Sequence, residues 1–175
     1  MGYAIMTWVD QLKESLPEYA KDIKLNLDAV INRSTIDAND ALYIAIAAAF
    51  ATGNSKLLTF LVSNATDEVE KNAALSAGAI MAQNNTWYPY VEMAGDANLK
   101  GLPAQLRMNA ITSHGGTTKG KFEAYSLSSS IIGKCHFCVK AHYDTLKQEG
   151  YSVEQLRDIG RISATINALA KILSA

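Results

Sequence analysis

Both cysteines of the chain and two of its three histidines fall within residues 121–150. The pattern reads Glu123, then Cys135-His136-Phe137-Cys138, then His142. Two thiols separated by two residues close a small disulfide ring with little rearrangement of the chain, so such a pair can cycle between dithiol and disulfide. If the pair opens a helix, its sulfurs lie near unpaired backbone N–H groups and the positive end of the helix dipole. Both features favour thiolate. Cys138 and His142 are four residues apart and Cys135 and His142 seven, which puts all three on one helical face.

Glu123 joins them through the expected chain path. An apolar helix from about Lys121 is predicted to stop at Gly133, read as its left-handed cap, and a second helix to run from about Cys135 to Gly150. In an antiparallel hairpin pivoting near Gly133, Glu123 lies ten residues before the pivot and His142 nine after it. The carboxylate can therefore face the imidazole, directly or through a water. A carboxylate–histidine–thiol chain of this kind is what a base-activated sulfur nucleophile requires.

Other chemistry fits the same residues. Two buried structural thiols are one alternative. A zinc site built from Cys135, Cys138, His142 and either His136 or Glu123 is another, but structural zinc usually draws on two separated knuckles and no second cysteine pair is present. Redox chemistry without a metal is the favoured reading. His136 either tunes thiol acidity or stands exposed between the cysteines. His114, in a Gly-flanked loop, reads as a solvent-facing residue. Trp87, Tyr88 and Tyr90 form an aromatic cluster suited to packing or subunit contact rather than to substrate.

The rest of the chain must position this site. With 175 residues and 49% apolar content it can bury a core as one domain over 1–175, an N-terminal half of about 1–100 without the active site and a C-terminal half of about 101–175 carrying it. A net charge of −1 offers no basic face, so nucleic acid is not an expected partner. Two cysteines do not make a secreted disulfide framework. No run of eighteen apolar residues occurs, and no basic segment followed by an apolar one opens the chain; the expectation is a cytoplasmic protein with no membrane span. Residues Gly2 to Ile5 read as an extension ahead of Met6.

The fold class expected is all-α, about eight helices. Trp8, Leu12 and Leu16 mark a short opening helix, and Pro17-Glu18 starts the next, with Tyr19, Ile23, Leu27 and Val30 or Ile31 along one face. Asp37 to Thr52 reads as a buried Ala-rich helix ended by Gly53-Asn54, and Ser55 to Asn64 as another. Asp67 with Glu70 resembles a capping box opening a helix to about Gln83. Signals weaken from Asn84 to Gly120, with a short helix around Leu102 to Ile111. Ser152 with Gln155 is a second capping box, opening a helix to about Ser174. Setting Gly53 on Gly133 aligns residues 41–53 with 121–133 at an offset of eighty, the mark of two pseudo-repeated helical halves. Glu123, Cys135, Cys138 and His142 then fall opposite Tyr43, Ser55, Leu58 and Val62.

The Glu123, Cys135, Cys138, His142 spacing resembles that of the alkylhydroperoxidase D family, within the carboxymuconolactone decarboxylase-like superfamily. Residues 17–27 (PEYAKDIKLNL), Asn84-Asn85 with the aromatics after them, and Leu106-Arg107-Met108-Asn109 are similar to further blocks of that family, so the resemblance spans nearly the whole chain. It implies an all-helical, often trimeric antioxidant protein. The implied activity is that of an oxidoreductase on peroxide: a hydroperoxide reductase and a reductant for a peroxiredoxin of the alkyl hydroperoxide reductase C type. No bound cofactor is implied. The disulfide is rereduced by a lipoyl group on a 2-oxoacid dehydrogenase component. Carried over by position, Cys138 is the nucleophile that becomes the sulfenic acid, Cys135 the proton donor and resolving thiol, and His142 and Glu123 the proton relay, Glu123 as general base. Family members tend to carry His as the second residue between the cysteines, where this chain has Phe137 and places His136 first. The dipole favours Cys135 as the more acidic thiol and the relay favours Cys138; the relay is given precedence here. Two other functions fit the same scaffold. One is an electron-carrying adaptor without peroxidase activity of its own; the other is a decarboxylase-like enzyme using His142 and Glu123.

Overall fold

Short polar side chains set where the helices begin. In the computed structural model, which describes residues 6–175, Thr7, Asp37, Asn54, Asp67, Thr118 and Ser152 each precede a helix and accept an amide proton from its first turn. The elements are α1 (Trp8–Ser15), α2 (Lys21–Asn32), α3 (Ala38–Thr52), α4 (Ser55–Ser63), α5 (Glu68–Ala94), α6 (Ala97–Lys100), α7 (Asn109–Ser113), α8 (Lys119–Gly133), α9 (His136–Gln148) and α10 (Val153–Ser174). Short 3-10 turns at Glu18–Ala20 and His114–Gly116 complete an all-α chain. The described residues form ten α-helices, two of them the short α6 and α7, against the about eight expected. No helix among the described residues is long and apolar enough to cross a membrane. The extension read at residues 2–5 lies outside the described residues.

α3 and α8 form the centre. Every residue from Ala41 to Ala49 and from Phe122 to Ser130 is buried, so each helix is covered on all sides. Small residues permit this, because Ala and Ser let neighbouring backbones come close. The serines of α8 find partners across the contact: Ser128 Oγ donates to the Ile44 carbonyl at 3.1 Å and Ser129 Oγ to the Ala47 carbonyl at 2.9 Å. α5 and α10 pack against both central helices, α4 against α3, and α9 against α8 and α5. Asp158, wholly buried on α10, accepts from the Thr35 amide and hydroxyl at 2.8 Å and from Arg157 and Arg161 at 2.9 Å. It pins the α2–α3 connection to α10.

The two halves repeat in order and in their caps. α8 starts and ends 81 residues after α3 (38 to 119, 52 to 133), and α9 starts 81 after α4 (55 to 136). Gly53 and Lys134, both left-handed, close α3 and α8. Asn54 and Cys135 then cap α4 and α9, each accepting the amide of the residue three on. On this register Glu123, Cys135, Cys138 and His142 stand opposite Leu42, Asn54, Leu57 and Leu61, one residue from the pairing drawn on the glycines.

Gly133 is not the left-handed residue; Lys134 is, with φ 53°. Glycine is needed at 133 for another reason. A Cβ there would sit 2.4 Å from Asn85 Nδ2 and 2.8 Å from Asn85 Cβ, so α5 crosses α8 too closely for any side chain. α5 does not stop near Gln83 but runs through Pro89 to Ala94. Proline there removes only the amide that would reach Asn85, and packing of Asn84 and Asn85 against α8 and α9 carries the helix through. Glu70 does not complete a capping box; its carboxylate bonds the Thr117 hydroxyl at 2.6 Å and the Tyr125 phenol. Tyr19 is 75% exposed rather than on the buried stripe. The short helix expected at 102–111 is confined to α7, after an irregular 101–108 segment.

Candidate active site

The left-handed turn at Lys134 folds α9 back along α8, and the N-terminus of α9 meets the α5 stripe made by Met81, Asn84, Tyr88 and Glu92. These fall three or four residues apart, one face of a helix. The two helices run antiparallel and pair in a ladder. Met81 Sδ meets His142 Nε2 at 3.2 Å, and the Asn84 carbonyl oxygen lies 3.7 Å from Cys138 Sγ. The Tyr88 ring stacks on Phe137 with centroids 4.6 Å apart, and Glu92 faces His136 at 3.9 Å. Three of the four expected site residues lie on α9 or cap it, and Glu123 comes from α8.

Cys135 and Cys138 are joined in a disulfide, and both are buried, with 0% and 3% exposure. Cys135 caps α9, and its Sγ accepts the Cys138 amide at 3.2 Å. Sulfur thus occupies the place that Asn54 Oδ1 takes at α4, where it accepts the Leu57 amide at 2.9 Å. Glu123 Oε2 contacts His142 Nδ1 directly at 2.6 Å, with both side chains buried. No water is needed between them. Ser126 and Ser130 follow Glu123 at helical spacing on α8, and their buried hydroxyls have no hydrogen-bond partner among the described residues.

Not every candidate joins this centre. The His136 side chain is 86% exposed and turned to Glu92, outside the sulfur pocket, and Phe137 instead leans on Tyr88. His142 presents its nitrogens to Glu123 and Met81, forming no hydrogen bond with either sulfur. Among the described residues no group of three or more His, Cys, Asp or Glu side chains converges as metal ligands would. His114 is half-buried beside Phe122.

Met81 escaped the sequence reading; Asn84 and Tyr88 entered it as part of the block that resembles the family, and Tyr88 also as an aromatic fit for packing, but none of them as a site residue. The signal was available as a 3.6-residue stripe through 81, 84, 88 and 92, hidden once the helix was ended at Gln83. On the solvent side of Phe137 a groove of about 1050 Å³ opens between α5, α6 and α9, walled by Trp87, Tyr88, Val91, Leu99 and Phe137. Chemically, the arrangement offers a sulfur pair at a helix N-terminus, a buried carboxylate–imidazole pair beside it, and an apolar groove alongside.

Known proteins are similar to this chain over most of its length. A family model described as the carboxymuconolactone decarboxylase family matches residues 98–175, which include the whole Glu123–His142 segment. The chain is 39% identical to a protein of Rhodospirillum centenum named alkyl hydroperoxide reductase AhpD, over 95% of this chain and 91% of that one. It is 38% identical to a protein of the same name from Coxiella burnetii (strain RSA 493 / Nine Mile phase I), over 91% and 93%. A third of that name, from Maricaulis maris, is 37% identical over 95% and 98%. Similarity of this extent runs far beyond the cysteine motif and through α5, the helix that completes the site; this chain belongs to the alkyl hydroperoxide reductase AhpD family.

Proposed function

We propose that the Cys135–Cys138 pair is the redox centre of a peroxide-reducing thiol protein. In its dithiol form one sulfur attacks a hydroperoxide, forming a sulfenic acid and releasing an alcohol. The second sulfur then closes the disulfide and releases water. A peroxiredoxin disulfide is the alternative oxidant, entering by thiol–disulfide exchange. Dihydrolipoamide, carried on a lipoylated 2-oxoacid dehydrogenase component, reopens the ring. Glu123 and His142 hold and return the protons these steps exchange.

The observation that carries this reading is the disulfide at the α9 N-terminus with the direct Glu123–His142 contact buried behind it. The groove beside Phe137 suits the apolar chain of a lipoyl arm or the alkyl group of a hydroperoxide. Exposed Tyr90, Met93 and Leu102 suit a subunit contact in the trimer that the family resemblance implies.

The test is peroxide consumption with dihydrolipoamide as reductant, with and without a peroxiredoxin. Cys138→Ser and Cys135→Ser each abolish it on this reading. Turnover unchanged in either variant rules the cycle out, and consumption that appears only with added peroxiredoxin reduces the chain to an electron carrier.

A further inference from the structure

We propose that Lys134 tunes the redox equilibrium of the sulfur pair: its ammonium stabilises the reduced, charged form of Cys135 and Cys138 over the uncharged disulfide. This rests on the dithiol–disulfide cycle proposed above and adds to it a residue that acts through the charge of the sulfurs.

The backbone singles the residue out. Lys134 closes α8 in the left-handed region, with φ 53° and ψ 34°. A residue with a Cβ enters that region at a cost, and lysine lacks the short polar side chain with which Asn or Asp offsets it. Its counterpart in the first half, Gly53, makes the same turn with φ 76° and ψ 4° and bears no such cost. Glycine is therefore the relaxed choice for this turn. Packing gives no reason for the lysine, because the residue is exposed. The C-terminal end of α8 gives none either, since a cation that favours it can stand in the last turn in ordinary helical conformation. Strain kept beside a reactive group points to function.

What lysine brings and glycine does not is charge. Lys134 is bonded to Cys135, and consecutive Cα atoms are ~3.8 Å apart. Its ammonium thus stays within about one Debye length of the sulfurs, ~10 Å at 0.1 M salt. The other ionisable groups around the pair have partners. Glu123 of α8 meets His142 of α9 at 2.6 Å, Lys140 meets Asp144 at 2.7 Å, and Glu92 of α5 faces His136 at 3.9 Å. Lys134 has no ion-pair partner among the described residues. The helix ends oppose each other at this turn, the negative end of α8 (Lys119–Gly133) against the positive end of α9 (His136–Gln148). An added cation tips that balance toward negative sulfur.

The charge acts on reductive opening. A reducing dithiol attacks one sulfur as its thiolate, the S–S bond breaks, and the other protein sulfur leaves as a thiolate. The second sulfur of the reductant then closes its own ring disulfide and releases the first protein sulfur. The protein gains two electrons and the reductant loses two. Of the reductant's two protons, one stays on the protein and one passes to solvent. The product carries one thiolate where the disulfide carried no charge, so a nearby cation favours the product alone and makes the pair more oxidising.

Three variants separate charge from strain. Lys134→Arg keeps both, Lys134→Asn removes the charge in a residue that tolerates the left-handed region, and Lys134→Gly removes charge and strain together. Each is equilibrated at pH 7 with dithiothreitol buffers of graded reduced-to-oxidised ratio and quenched in acid, and the dithiol fraction is read by alkylation and mass spectrometry. Lys134→Asn and Lys134→Gly are expected to need about threefold more reduced dithiothreitol than wild type for half-reduction, about 14 mV, while Lys134→Arg titrates with wild type. The difference is expected to shrink in 1 M salt, where the Debye length is ~3 Å. In denaturant titration of the oxidised proteins, Lys134→Gly is expected to be more stable than wild type. Lys134→Asn titrating with wild type, Lys134→Arg shifting as far as Lys134→Asn, a shift indifferent to salt, or Lys134→Gly less stable than wild type overturns the inference. Turnover with hydroperoxide is measured separately. An unshifted equilibrium in a protein that consumes peroxide sinks this inference alone, a shifted one in a protein without turnover sinks the proposed function alone, and a disulfide that no dithiothreitol ratio opens sinks both.

Discussion

Glu123→Gln separates the proton-handling role of the buried pair from its structural one. Glutamine keeps the shape of the side chain and an oxygen that accepts from His142 Nδ1, now 2.6 Å away, but it carries no charge and takes no proton. A buried hydrogen bond to an ionised carboxylate contributes up to about 3 kcal/mol, where a neutral one contributes about 1. With the neutral hydrogen bond retained, the expected loss is about 2 kcal/mol of unfolding free energy, and the protein stays folded. Catalysis should suffer more, because a positioned acid–base group contributes roughly 100-fold or more. Stopped-flow oxidation of the reduced protein by a hydroperoxide should slow by about that factor. Chemical denaturation supplies the stability term independently. An oxidation rate equal to wild type, with the stability loss present, would show the Glu123–His142 contact to be structural and would remove the relay from the mechanism.

Other perturbations test the frame around the site. Burial alone would raise the Asp158 carboxyl; bonds from Arg157, the Thr35 amide, Arg161 and the Thr35 hydroxyl outweigh it and hold the group well below the ordinary carboxylate range. Its contribution is therefore present above the unfolded value of about 3.9 and is lost as pH falls below it toward the folded one. Asp158→Asn should cost about 3 kcal/mol, lowering Tm by roughly 6–12 °C, and flatten the acid limb of the stability profile; a loss under about 1 kcal/mol counts against the clip. Gly133→Ala should destabilise by about 1 kcal/mol, since overpacking against Asn85 outweighs the better helix propensity of alanine; denaturant titration showing a gain in stability would refute the close-crossing argument. Phe137→Ala should cost only about 0.5 kcal/mol, because the ring is 57% exposed, yet speed iodoacetamide alkylation of the reduced pair by uncovering the α5–α9 seam; an unchanged rate would mean the Tyr88–Phe137 stack covers nothing.

Which residues of the hairpin come together was more legible in the sequence than what packs around them. Glu123, Cys135, Cys138 and His142 follow from spacing alone because all four lie within one helical hairpin, where a pivot residue fixes who faces whom. Moving that pivot from Gly133 to Lys134 leaves Glu123 eleven residues before it and His142 eight after, still within reach of each other. Met81 and Asn84 were out of reach because they contact the hairpin only in the folded chain. The local signs at Asn84-Asn85 and Pro89 argue for a break where tertiary packing keeps a helix. The glycines misled for a similar reason. A glycine at a helix end can supply a left-handed cap or room for a neighbour, and Gly53 does the first while Gly133 does the second.

The repeat also shows how one half of the scaffold can hold the redox pair proposed above while the other cannot. Both halves place an accepting side-chain atom at the turn between a central helix and the next, Asn54 Oδ1 in one and Cys135 Sγ in the other. Both bury the residues three and seven positions further on, Leu57 and Leu61 in the first half, Cys138 and His142 in the second. The cap slot therefore exists for helix geometry and needs only sulfur in place of an amide to hold one end of a disulfide. What the apolar half lacks is the means to satisfy a buried imidazole. The position matching Glu123 is Leu42, so a histidine at Leu61 would be buried without a carboxylate, at a cost of several kcal/mol. Glu123 is on this argument the residue that makes His142 tolerable in the core, and the two must be present together. The double variant Glu123→Leu/His142→Leu should accordingly be more stable than Glu123→Leu alone, and a double variant as unstable as the single would show that the core accommodates the imidazole without its carboxylate.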